Sequence, residues 1–296
     1  MQRNAIVTGC SIGLGRATAL RLAHGDPADR VRIGGGLGPS ARSQPRRTDS
    51  ADPGIPAGTR VTVALLRNLH SLLERGTMKA LGEVIIEGLE QRGAVLDDDR
   101  RAAVVRAAGE LLDSNIAMRA LQIGEAMPDF ALHAASDELV RLSDVLRDGP
   151  TVVSFFRGTW CEYCRSFTRA LADVHDQVRT AGAEILALSP QREGLEGTSA
   201  LPFAWLRDDD NRVARKVGVA FELPRDLHWA YRKLGIDLPK LNQSDRFELP
   251  VPATYVVGTD QRIRFAHVEP DYRRRPTVQE VLGAVQEATT STELLR

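Results

Sequence analysis

Thr151-Val152-Val153-Ser154-Phe155-Phe156-Arg157-Gly158-Thr159-Trp160-Cys161-Glu162-Tyr163-Cys164 joins a nearly continuous apolar run to two cysteines three positions apart. The first six residues are rich in β-branched and aromatic side chains, which suits a strand buried on both faces. Phe167, Leu171, Val174 and Val178 then recur at helical spacing before Gly182, which predicts one helix from about Cys161 to Thr180. A second buried strand follows at Glu184-Ile185-Leu186-Ala187-Leu188. Strand, helix and strand make a βαβ unit of ordinary size.

The pattern extends in both directions. Phe130-Ala131-Leu132 reads as a short strand and Leu142-Ser143-Asp144-Val145-Leu146 as a helical turn. Asp210 is placed to cap a helix carrying Val213, Ala214 and Val217, and residues 221–249 read as an insertion bearing Trp229 and Tyr231. Thr254-Tyr255-Val256-Val257 and Arg262-Ile263-Arg264-Phe265-Ala266 form a hairpin across Gly258-Thr259-Asp260-Gln261. Thr277 and Glu280 have the spacing of a capping box before a last helix with Val278, Val281, Leu282 and Val285 on its apolar face. The order predicts an α/β sandwich, a central mixed sheet with helices on both faces.

The cysteines sit where chemistry is favoured. At a helix N-terminus a thiol faces unpaired backbone N–H groups and the positive end of the helix dipole, and both favour the thiolate. The second cysteine lies close to one turn later on the same face. Cys161 is therefore the candidate nucleophile, and Cys164 the thiol that resolves a mixed disulfide or sulfenic acid on it. Arg157 and Arg165 flank the pair and add positive potential, whereas Glu162 should oppose the thiolate. The plain alternative is two buried cysteines packing as small hydrophobes. A zinc knuckle lacks support, because there is no second Cys-x-x-Cys and the six histidines are scattered. No metal or other cofactor is expected.

Composition sets the bounds. The chain has 296 residues with 39 basic and 39 acidic side chains, so no net field draws it to nucleic acid or anionic lipid. The run Arg273-Arg274-Arg275 reads as a solvated loop. Three cysteines are too few for a disulfide scaffold, and no apolar stretch approaches the roughly 20 residues of a membrane span. Val7-Thr8-Gly9-Cys10 loosely resembles a lipoprotein cleavage site, but too little apolar chain precedes it. A cytoplasmic protein is expected, with no nucleic-acid or membrane partner.

Residues 1–59 form an atypical leading segment. Thr8-Gly9-Cys10-Ser11-Ile12-Gly13-Leu14-Gly15 resembles the opening turn of short-chain dehydrogenases, which cradles a dinucleotide. The resemblance ends within about 25 residues, in a Gly-, Pro-, Arg- and Ser-rich stretch that reads as loop or disorder. No tyrosine has a lysine four positions later, as that family's catalysis requires. A fusion remnant or a mispredicted gene start, with Met78 as an alternative, explains the segment better than cofactor binding. Residues 60–122 are helical by pattern. Val63, Leu66, Leu69 and Leu73 mark one stripe; Leu81, Val84, Ile85 and Leu89 a second; Val104, Val105, Ala108 and Leu112 a third. The third begins after Asp97-Asp98-Asp99, acids that suit a helix start. These stripes are packing surface, against the next domain or in a homodimer.

Five motifs carry a family resemblance that covers roughly residues 116–288, with the domain itself expected at 123–290. Gly124-Glu125-Ala126-Met127-Pro128-Asp129-Phe130, the Phe155–Cys164 stretch, Ser189-Pro190-Gln191, Leu234-Gly235-Ile236-Asp237-Leu238-Pro239 and Pro250-Val251-Pro252-Ala253-Thr254 resemble the peroxiredoxin-like branch of the alkyl hydroperoxide reductase and thiol-specific antioxidant (AhpC/TSA) family. That resemblance implies a thioredoxin-like fold and a redox-active Cys161/Cys164 pair. It also implies that Pro252 shapes the substrate groove as a cis-proline; an ordinary strand-start proline is the alternative. True peroxiredoxins place their peroxidatic cysteine in a Pro-x-x-x-Thr-x-x-Cys frame. Here Ser154 and Gly158 occupy the proline and threonine positions, and Pro252 replaces the arginine usual near the strand start. Thr159 or Arg157 would have to substitute.

The expected activity is reduction of peroxides or protein disulfides, with electrons from thioredoxin or glutathione. A non-enzymatic redox sensor is the rival, and an NAD(P)-dependent dehydrogenase rests on the first 25 residues alone.

Overall fold

In the computed structural model the described residues are 80–195 and 197–293. The glycine-rich turn of residues 8–15, Cys10, the following linker, the stripe at Val63–Leu73 and Met78 lie outside them. Two short helices open the described chain, α1 (Leu81–Gln91) and α2 (Asp98–Leu112), followed by the turn α3 (Ile116–Arg119). Asp97 caps α2, its side chain accepting from Arg100 N at 2.9 Å, which satisfies one of the orphan donors of a helix start. The hairpin β1 (Ala131–His133)–β2 (Leu139–Arg141) and the turn α4 (Leu142–Val145) come next.

The central sheet is built from β3 (Thr151–Phe155), β4 (Glu184–Ser189), β5 (Ala204–Arg207), β8 (Ala253–Val257) and β9 (Ile263–Val268), in the order β5-β4-β3-β8-β9. β3 runs parallel to β4 and antiparallel to β8, so the sheet is mixed. β3 is buried along its whole length, as its composition requires. Alternate residues feed two cores. Val153, Phe155, Leu186 and Tyr255 join Leu142 of α4 and Val213, Ala214 and Val217 of α7 (Arg212–Val217) on one face. Val152, Ile185, Ala187 and Val256 join Phe167 and Leu171 of α5 (Glu162–Asp173), Val178 of α6 (His175–Thr180) and Val281 and Val285 of α10 (Val278–Glu293) on the other. This is the thioredoxin-like three-layer sandwich that the sequence implied.

Two local expectations are corrected. The helix after the cysteines is not continuous to Thr180. At Val174 (φ −108°) the backbone leaves helical geometry, and Val174 N bonds the Leu171 carbonyl. The tightened turn redirects the axis while Val178 stays on the sheet. The cap of α7 is Asp208, whose two carboxylate oxygens accept from Val213 N at 2.8 Å and Ala214 N at 2.9 Å. Asp210 instead takes a left-handed turn (φ 55°) and accepts from Ser244 Oγ. Thr277 and Glu280 do form the reciprocal capping box, with Thr277 N to Glu280 Oε2 at 2.8 Å and Glu280 N to Thr277 Oγ1 at 3.2 Å.

The segment 221–249 is ordered structure. It runs from β6 (Ala220–Glu222) through α8 (Arg225–Lys233) and α9 (Leu238–Asn242) to β7 (Glu248–Pro250), which pairs antiparallel with β6. A third core joins it to the helices at the start: Ile86 and Leu89 of α1, Val104 and Ala107 of α2, and Leu227, Ala230 and Tyr231 of α8. Leu89 of the α1 stripe and Val104 of the α2 stripe thus pack within the chain, each buried aliphatic side chain being worth about 1.5–3 kcal/mol, whereas Val105 is 51% exposed.

Candidate active site

Where β3 ends, Phe156 N still bonds the Leu188 carbonyl at 2.8 Å, and the chain then turns sharply. Gly158 sits at φ +145°, a value that L side chains rarely adopt, and a Cβ there would lie 2.4 Å from Trp160 Nε1. Gln191, from the loop after β4, clamps the turn. Its Oε1 accepts from Thr159 N at 2.7 Å, and its Nε2 donates to the Thr159 hydroxyl at 2.9 Å and to the Gly194 carbonyl at 3.1 Å. The turn delivers Cys161 to the N-cap position of α5, with Arg165 N bonding its carbonyl at 3.0 Å. Cys164 follows in the first turn, its carbonyl accepting from Thr168 Oγ1 at 2.6 Å.

Both cysteines are free thiols, and both are buried, Cys161 at 5% and Cys164 at 0% exposure. Their ionisation is split. A hydrogen bond from the Cys164 thiol, opposed by burial and aided by the Arg157 charge, lowers Cys161 to about 5. Burial pushes the Cys164 thiol well up, and its bond to Cys161 adds to the rise. The geometry accommodates one negative charge on the pair, held on Cys161, with Cys164 keeping its proton and donating it.

Arg157 supplies the compensating cation. It is buried, and its guanidinium lies 4.0 Å from the ring centroid of Tyr272, 4.9 Å from Trp160 and 5.8 Å from Tyr231. Its Nη2 donates to the Tyr231 hydroxyl at 2.5 Å. No carboxylate among the described residues pairs with it. Burial works against its charge, but Tyr231 and Cys161 outweigh that and hold it above its ordinary value. Aromatic faces contribute attraction of about 0.5–2 kcal/mol each. Both phenols remain protonated: burial raises Tyr231 and pushes Tyr272 up to about 12.

The other candidate residues are placed differently. The Thr159 side chain is spent on the Gln191 clamp and on the Gly194 carbonyl. Arg165 does not reach the sulfurs; it is exposed and its Nη1 meets the Thr159 carbonyl at 3.4 Å. Glu162 is exposed and does not prevent the low value at Cys161, since water screens its charge. Ser154 lies inside the sheet, its hydroxyl 2.9 Å from that of Thr254. Pro252 is buried one residue before Ala253, which pairs with Phe155, so it stands at the sheet end from which the cysteine loop departs.

Four contributors escaped the reading of the sequence. Tyr231 and Tyr272 enclose Arg157, and Gln191 fixes the loop. Arg275 donates from Nη2 to Cys164 Sγ at 3.4 Å. The run Arg273-Arg274-Arg275 is therefore not simply a solvated loop: Arg273 and Arg274 face Asp271, and Arg275 turns inward. Among the described residues no cluster of histidine, cysteine and acidic side chains would hold a metal ion, and no helix is long and apolar enough to cross a membrane.

Residues 123–266 match the AhpC/TSA family. Over 167 residues the chain is 29% identical to the thiol-disulfide oxidoreductase ResA of Oceanobacillus iheyensis, covering 55% of this chain and 72% of ResA. Among solved structures, peroxidoxin BcpB of Mycobacterium tuberculosis aligns with a TM-score of 0.43 at 20% identity, over 56% of this chain and 97% of that one. AhpC of the same organism aligns with a TM-score of 0.42 at 21% identity, over 59% and 96%.

Proposed function

We propose, from the premise that residues 123–266 make this chain a peroxiredoxin-like member of the AhpC/TSA family, that it is a thiol-dependent oxidoreductase reducing peroxides through Cys161 and Cys164. The observation that carries this reading is the placement of Cys161 at the start of α5 and of Cys164 in its first turn, both free thiols, next to the loop that carries the buried Arg157. A thiolate is the attacking species, and at a value of about 5 Cys161 is almost fully ionised at neutral pH.

Attack of Cys161 sulfur on the peroxide O–O bond forms a sulfenic acid and releases an alcohol or water. The leaving oxygen needs a proton or a hydrogen-bond donor as its charge grows. Arg157 and the Tyr231 phenol are the donors beside Cys161, and they take the place of the threonine that position 158 cannot hold. Cys164 then attacks the Cys161 sulfur, expels water and closes a disulfide. An external thiol such as thioredoxin or glutathione reduces it again. Pro252, at the sheet end from which the cysteine loop departs, is the residue assigned to shaping the approach of substrate.

Reduction of a protein disulfide is the second reading, favoured by the Cys-x-x-Cys spacing and by the similarity to ResA. One pair of assays separates the two. Peroxide consumption with a thioredoxin system, retained in part by Cys164→Ser and lost in Cys161→Ser, supports the peroxidase. Reduction of insulin disulfides without peroxide turnover supports the reductase. Absence of both activities, with partner affinity that follows oxidation state, returns the site to a sensor.

A further inference from the structure

We infer that Arg275 is a catalytic residue of the second half-reaction, stabilising the Cys164 thiolate once Cys161 has reacted; this rests on the assignment of Cys161 as nucleophile. The observation is the split of the arginine run. Arg273 bonds Asp271 through two nitrogens at 2.8 and 2.7 Å, and Arg274 reaches the same carboxylate at 3.9 Å. Arg275 has no carboxylate partner among the described residues. Its Nη1 is anchored on the Tyr272 and Arg274 carbonyls at 2.5 and 2.7 Å, which leaves Nη2 to donate to Cys164 Sγ at 3.4 Å. A cation held by two backbone carbonyls and aimed at a fully buried sulfur is an arrangement for a charge that appears there transiently.

The charge history of the pair says when. In the reduced enzyme the single negative charge sits on Cys161, and Cys164 is neutral. Cys161 attacks a disulfide, forming one S–S bond and breaking another, and the leaving thiolate carries that charge away. The buried Arg157 and the half-buried Arg275 then face two uncharged sulfurs, and a buried cation without a counter-charge is unfavourable. Ionisation of Cys164 restores the balance, its proton passing to solvent. The Cys164 thiolate attacks Cys161, expels the second thiolate and closes the disulfide; the pair has lost two electrons and the substrate has gained two. Arg275 touches the sulfur that ionises in this step, and it acts only weakly on Cys161, behind the Cys164 thiol and Arg157.

Mixing the reduced full-length protein carrying Cys10→Ser, which leaves Cys161 and Cys164 as its two thiols, with excess 5,5′-dithiobis(2-nitrobenzoate) reads both steps on one trace, and every variant below is made in that background. Attack by Cys161 releases one nitrothiobenzoate, and resolution by Cys164 releases the second. In Arg275→Gln the second phase is expected to slow about tenfold or more, one unit in the thiol pKa being a tenfold change in thiolate fraction, and far more than the first. Arg275→Lys, which keeps the charge, is expected to recover most of the second phase. Cys164→Ser gives the first phase alone and serves as reference. Equal slowing of both phases, or an unaffected second phase, would overturn the role of Arg275. Absence of a first phase in the Cys10→Ser protein with Arg275 intact would sink the assignment of Cys161 as nucleophile, and this inference with it.

Discussion

Arg157 Nη2 donates to the Tyr231 hydroxyl at 2.5 Å, a bond between residues 74 positions apart that fastens helix α8 to the loop bearing Cys161. Removing the acceptor leaves a buried charged donor without its partner. Tyr231→Phe is expected to cost about 1–3 kcal/mol, the penalty for an unsatisfied buried donor. Urea denaturation at neutral pH measures it. A midpoint equal to that of the unmodified protein would show that the bond carries no weight.

Arg157 itself is expected to matter through charge. Arg157→Met keeps bulk against the three rings but removes the cation that favours the Cys161 thiolate. The Cys161 pKa should rise by about one unit or more, in line with the effect of a near opposite charge. The rate of alkylation of Cys161 by iodoacetamide, followed from pH 4 to pH 9 with Cys10 replaced by serine, gives the value for both proteins.

Restoring the threonine usual three positions before the cysteine should fail. At Gly158 any side chain meets Trp160 Nε1 at 2.4 Å and Gln191 Oε1 at 2.5 Å, on backbone at φ +145°. Gly158→Thr is expected to destabilise the fold by about 1–3 kcal/mol or more from strain alone and to lower peroxide or disulfide turnover. A stable Gly158→Thr with enhanced peroxidase activity would contradict the description of the loop.

The low Cys161 pKa is also a statement about stability. The folded value, about 5, lies below the ordinary 9.0, so above pH 5 the unfolded state binds more protons and the native state gains as pH rises toward 9. The gain is complete above about 9 and is lost as pH falls through about 5. The stability difference between reduced wild type and Cys161→Ser should therefore grow from pH 5 to pH 9. His267, held near 4 by burial against 6.5 in a free side chain, loses stability from pH 6.5 downward in both proteins, and its effect cancels in the comparison. Chemical denaturation across this range tests the sign.

Much of the sandwich was legible because its signals are local. The uninterrupted apolar run at Thr151–Phe156, the apolar run at Ile185–Leu188 and the Thr277/Glu280 box each depend on neighbours within a few residues. Cys161 at a helix start was legible for the same reason. What stayed hidden is set by long-range closure. Nothing near Tyr231 or Tyr272 reports that their rings enclose Arg157, and three arginines in a row look alike until Asp271 engages two of them. Asp208 and Asp210 are equally good caps by type; only the left-handed turn at Asp210 decides between them. The break at Val174 was hidden because Phe167, Leu171 and Val178 face the sheet on either side of it.

The most direct test of the central claim is the ultraviolet titration of the reduced protein, following thiolate absorbance near 240 nm from pH 3 to pH 10. With Cys10 replaced by serine, the protein should show one step with a midpoint near pH 5 that disappears on adding Cys161→Ser, while Cys164 contributes nothing below pH 9. A single midpoint at the ordinary thiol value of 9.0 would contradict the thiolate assignment and the redox chemistry built on it.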